Sequence, residues 1–163
     1  MPGARAAWVT CADPELILEM AKIQSCASGN ASTISQAGLE AALQHCMHSP
    51  QVLAEVSDYY AARTRKVAEG LNALARKHGL RRPVCTVPSA TFYVWADLSQ
   101  VSGVQSDRQI FGRLLQLGVA CIPGSAFAME PERKLVRLSC AQDSLAAIDK
   151  ALGCFDAALA EWT

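Results

Sequence analysis

No excess of charge of either sign marks this sequence, because fifteen Lys and Arg residues balance fifteen Asp and Glu. A chain so neutral offers no electrostatic footprint for nucleic acid or for an anionic membrane surface. Long apolar runs are missing as well. The uncharged stretch from Leu114 to Met129 is too short for a membrane-spanning helix and is broken by Pro123 and Gly124. The opening residues, MPGARAAWVT, lack the basic start, extended apolar centre and small-residue cleavage site of a secretory signal, so a cytoplasmic protein is expected. No C-x-x-C pair occurs among the seven cysteines. Scattered in this way, most of them read as small core residues in a reducing compartment. The cluster HCMH, with His45, Cys46 and His48, has neither ligand spacing nor a second pair to complete it, which argues against a metal site. Internal repeats and low-complexity tracts are also missing.

What is present is apolar material for an ordinary core: 163 residues, 51% of them hydrophobic. The punctuation places helices and a few strands. RAAWVTC, residues 5–11, reads as a short buried strand. Asp13 and Pro14 then start a helix running to about Ser25, as N-cap and first helical residue. SGNAST breaks the chain, and Thr33 to His45 reads as an alanine-rich helix. From about Pro50 to Lys77, Val52, Val56, Tyr60, Val67, Leu71 and Leu74 recur at helical spacing. Such a helix is about 40 Å long, more than a compact domain of this size requires. A domain boundary is therefore expected in its first half, dividing residues 1–52 from 53–163. ATFYVWADL reads as a strand, Ser106 and Gln109 as a capping box opening a helix to about Leu117. GVACI reads as a strand, PGSAF as a turn, KLVRLSC as a strand, and Asp143 to about Glu161 as an amphipathic helix with Leu145, Ile148, Leu152, Phe155 and Leu159 on one face. The expected class is α+β, with a β-α-β-β-α layer of helices on a small sheet.

Within KLVRLSC, alternation puts Leu135, Arg137 and Ser139 on one face and Val136, Leu138 and Cys140 on the other. One face is core and the other holds a cation. Arg137 is then either a solvated arginine on the wet side of an antiparallel sheet or an anion site, since a guanidinium fits a carboxylate through two parallel hydrogen bonds. The strand alone leaves both readings open.

ATFYVWADLS, LLQLGVACIPGSAFA and VRLSCA resemble, in order and spacing, the closing small domain of class I/II aminotransferases, fold type I enzymes that use pyridoxal phosphate. MPGARAAWVTCADPELI and QSCASGNASTISQAGLEAAL resemble two upstream segments of the same family, so nearly the whole chain is covered. The resemblance implies that residues 1–52 are the last part of the large cofactor-binding domain and 53–163 the small domain with its connecting helix. It implies that Arg137 grips the α-carboxylate of the substrate and that Arg5 contacts the cofactor phosphate. Asn30 and Ser32 fall in a segment near the family's dimer interface and active-site mouth. The chain departs from the family pattern at Ala4, at Ala128 in place of a glycine, and at Ser89 or Ala90 in place of another. A glycine with positive φ is not replaced by alanine without strain.

Transamination runs through a lysine amine that holds pyridoxal phosphate as a Schiff base. The family motif S-x-S/T-K is absent here, and Lys22, Lys66, Lys77, Lys134 and Lys150 stand in other contexts. The resemblance therefore implies the C-terminal part of an enzyme that moves an amino group between an amino acid and a 2-oxo acid, inactive by itself. Its expected partners are those substrates and either a second copy in a homodimer or an N-terminal half. The alternative is a carboxylate-binding or subunit-pairing module without catalysis. In both cases unpaired strand edges and exposed apolar helix faces lead to association of the isolated chain.

Overall fold

Asp13 starts the first helix by accepting the free N–H groups of Glu15 at 2.9 Å and Leu16 at 3.3 Å. The structure is a computed structural model and describes residues 2–141 and 144–163. Five helices and three strands are present among these residues. They fall into two compact units, Met1–Ala54 and Glu55–Thr163, and the division lies inside the third helix.

The first unit contains a short 3-10 turn, Pro2–Ala4, then α1 (Pro14–Ala27) and α2 (Thr33–His48). Neither helix buries a single residue. The expected strand over residues 5–11 does not form, and Trp8 and Val9 are exposed. A strand exists only through a hydrogen-bonded neighbour, and this segment pairs with none among the described residues.

The second unit holds most of α3 (Gln51–Lys77), followed by β1 (Tyr93–Asp97), α4 (Asp107–Gln116), β2 (Ile122–Pro123), β3 (Leu135–Ser139) and α5 (Leu145–Trp162). The order is the expected β-α-β-β-α. The sheet is antiparallel in the order β1-β3-β2, so the last strand in sequence is central. Its inner face, Val94, Ala96, Val136 and Leu138, is buried in a core with Leu71, Ile110 and Phe155. Each of these side chains except that of Ala96, a single methyl group, contributes about 1.5–3 kcal/mol by leaving water. GVACI narrows to a two-residue strand because only Ile122 and Pro123 reach the register of β3.

Several terminal details differ from expectation. Ser106 caps α4 by accepting from Gln109 N, but Gln109 reaches back to Gln105 N at 2.6 Å instead of to the cap residue. Ser144 caps α5, and Asp143, the expected start, lies outside the described residues. On α5, Ile148, Phe155 and Leu159 are buried as the spacing predicts, whereas Leu145 is exposed. The end of α5 seats tightly on the loop before α4. Gly103 N donates to Trp162 O at 2.9 Å, and a Cβ on Gly103 would fall 2.7 Å from Trp162 Cα, so only glycine fits. Cys85, Cys121 and Cys140 are buried, but Cys11 and Cys26 are exposed, so only part of the cysteine set is core. Burial pushes the thiols of Cys85 and Cys121 up to about 11, which makes both inert at neutral pH.

Candidate functional site

Arg137 stands in the middle of the central strand, opposite Trp95 of β1 on one side and Ile122 of β2 on the other. Strand alternation turns it away from the core: Val136 and Leu138 are buried, while Arg137 is half-buried on the outer face. Two aromatic rings flank its guanidinium, with Cζ 4.2 Å from the centre of Tyr93 and 4.5 Å from that of Phe127. Phe127 in turn meets Trp95 edge-on at 5.4 Å. Ring faces attract the cation. They do not occupy its N–H groups, which lie in the guanidinium plane. Among the described residues no carboxylate forms an ion pair with Arg137 and no protein acceptor takes its N–H groups. A half-buried cation held by rings, with its donors unspent, is chemically suited to an anion that offers two oxygens in one plane.

Phe127 is delivered by the turn that follows β2. Gly124–Phe127 forms a 3-10 turn, and Ala128 ends it in the left-handed region at φ 58°. Gly124 packs against β3 so closely that a Cβ there would come within 2.9 Å of Leu135 Cβ. The turn is also tied to α4, because Ser125 N donates to Asp107 Oδ2 at 2.6 Å and Ser125 Oγ to Oδ1 at 3.3 Å. Sequence reasoning singled out Arg137 but missed Tyr93, Phe127 and Asp107. The spacing of Tyr93 in a strand gave a face, not a partner. Asp107 follows a capping serine, where acidic residues are common for helix-dipole reasons alone.

Arg5 belongs to the first unit and Arg137 to the second. Arg5 is exposed, with φ 50°, and borders an open depression of about 500 Å³ together with Ile17, Met20, Gln24 and Asn30. Ser32 precedes α2 without making a side-chain cap bond. Pyridoxal phosphate requires an amine for its aldehyde and several donors for its phosphate. This depression supplies one guanidinium among mainly apolar side chains and no lysine, so its residues do not fit the group as a whole. His48 is committed locally, its Nδ1–H donating to Gln44 O at 2.7 Å.

A family profile described as aminotransferase class I and II matches residues 1–155. An aspartate aminotransferase of Rhizobium meliloti strain 1021 is 36% identical over 127 residues, covering 72% of this chain and 28% of that protein. An aspartate/prephenate aminotransferase of Thermus thermophilus is 31% identical over 128 residues, covering 78% of this chain and 31% of that protein. Among solved structures, a Thermus thermophilus aspartate aminotransferase tetra mutant superimposes with a TM-score of 0.66 at 30% identity, over 90% of this chain and 37% of that one. The chain thus spans about a third of the length of the relatives it matches.

Proposed function

The chain belongs to the class I and II aminotransferase family, and from that premise we propose that it forms the carboxylate-gripping part of an enzyme exchanging an amino group between an amino acid and a 2-oxo acid. The observation that carries this reading is Arg137, flanked by Tyr93 and Phe127 on the outer face of the sheet with its donors open. Two N–H groups of its guanidinium bind and orient the substrate carboxylate, while the rings of Tyr93 and Phe127 hold the cation in place. The second unit is read as the small domain and the first as the end of the large domain. The family is pyridoxal-phosphate dependent, and that group supplies the electron sink for proton movement at Cα when it is bound. Arg5 contributes a phosphate contact. The lysine and the remaining phosphate donors come from residues outside this sequence, and the chain alone does not transaminate.

Pyruvate is a suitable probe because it carries the carboxylate and 2-oxo group without further charge. Titrated into the isotopically labelled chain, it should shift the Arg137 side-chain NMR signals in a saturable way. Arg137→Ala should leave the other pyruvate-induced shifts near zero. Saturable shifts of equal size in that variant would place the anion elsewhere. The native polypeptide, isolated from its source, is expected to have more than twice the 17.4 kDa of this sequence. A native mass near 17.4 kDa would instead leave a carboxylate-binding module without its own chemistry.

A further inference from the structure

Asp107 is a charged side chain with no exposed surface, set in the interior beside Ile110 and Leu114 of its own helix. Removing a carboxylate from water is costly unless hydrogen bonds replace the lost solvation. Its position as the first residue of α4 supplies part of the compensation, because the open N–H groups and dipole at a helix start favour negative charge. The two side-chain hydrogen bonds go to a single residue, Ser125, and among the described residues no cation pairs with it. A group kept at that expense and aimed at one turn points to a task located on the turn. Two residues beyond Ser125 stands Phe127, whose ring lies on the Arg137 guanidinium.

We infer that Asp107 is a positioning residue for Arg137: by clamping Ser125 it fixes the 124–127 turn, holds Phe127 over the guanidinium, and so sets the plane in which Arg137 presents its donors. The ends of the turn have contacts of their own, and its middle depends on the clamp. Gly124 is wedged against Leu135 at one end, and Ala128 N donates to Gly124 O at the other. Without the Asp107 bonds, Ser125 N–H loses its acceptor and the turn can roll about its Gly124 contact. Phe127 then leaves the guanidinium, which rests on Tyr93 alone. The functional weight of this inference rests on the reading of Arg137 as the carboxylate grip; the mechanical part does not.

The test uses NMR on the full chain and compares the Arg137 Nε–Hε signal in the wild type, Phe127→Ala, Asp107→Ala and Asp107→Asn. Phe127→Ala defines the ring-current contribution of that ring. The Asp107→Ala signal should move to the Phe127→Ala position. Asp107→Asn should keep the wild-type position, because its carboxamide oxygen still accepts from Ser125 N–H. An unmoved signal in Asp107→Ala overturns the inference, and so does equal displacement in both Asp107 variants. If Asp107→Ala does not fold, the wild-type chain decides through the Ser125 amide. The clamp predicts slow hydrogen exchange there, and exchange at the rate of an open loop overturns it. Pyruvate separates the two readings: no response at Arg137 in the wild type removes the carboxylate reading, while the ring-current comparison still decides the role of Asp107.

Discussion

At the scale of residues, Ala128 holds a backbone that its side chain disfavours, with φ 58° and ψ 26°. A Cβ in the left-handed region crowds the following carbonyl oxygen, which is why glycine dominates such turn ends. Resemblance to the family placed a glycine at this position, and the torsion shows what it is for. Ala128→Gly should stabilise the chain by about 1 kcal/mol, net of the added freedom of the unfolded state. For a chain of this size that is roughly 2–4 °C in Tm, and an unchanged or lower Tm would show that the alanine is unstrained. The second departure resolves differently. Ser89 or Ala90 was expected in place of a glycine, yet the positive φ falls on Thr91, at 76°, where a β-branched side chain makes it a true outlier. Thr91 Oγ1 accepts from Tyr93 N at 3.3 Å, which ties the strained residue to the start of β1 and hence to one of the rings under Arg137.

At the scale of elements, Asp156 of α5 takes two partners at the end of α3. Asp156 accepts from Lys77 Nζ at 2.6 and 2.8 Å and meets His78 Nε2 at 2.7 Å. The hydrogen bond from Lys77, and after it that from His78, holds the Asp156 carboxyl below the usual carboxylate range. A carboxyl with a depressed folded-state value adds stability that is present above its unfolded value, near 4, and is lost as the pH falls through the folded one. Asp156→Asn should therefore flatten the acid limb of stability below about pH 4 in urea titrations. Glu161, held low by its hydrogen bond from Arg113, sustains what remains of that limb. An acid limb as steep in the variant as in the wild type would reject the role of Asp156. Lys66 reaches Asp149 on the same pair of helices, so α3 and α5 are joined at more than one level.

At the scale of the whole molecule, the two units differ in what holds them. The second encloses a continuous core, whereas α1 and α2 bury nothing and leave Ile23, Ile34 and Met47 largely exposed. Local opening is easiest where few apolar contacts must be broken. Hydrogen exchange should therefore label α1 and α2 amides long before those of β1, β3 and α5. Comparable protection in both sets would mean that the first unit is stabilised by more than its own packing. The same contrast divides what was legible in the sequence. Helix periodicity, the Asp13 and Ser106 caps and the alternation of β3 are local patterns, and they determined five helices, the order of the second unit and the outward face of Arg137. The strand expected at residues 5–11 failed because pairing is not local: alternation and β-propensity make a segment able to pair but supply no partner. The site divided in the same way. The sequence alone determined that one cation stands on the outer face of an apolar strand. Only the tertiary structure decided that Tyr93 and Phe127 flank it and that Asp107 bonds the turn carrying Phe127, because those contacts join residues apart in the chain through packing, which no spacing along it encodes.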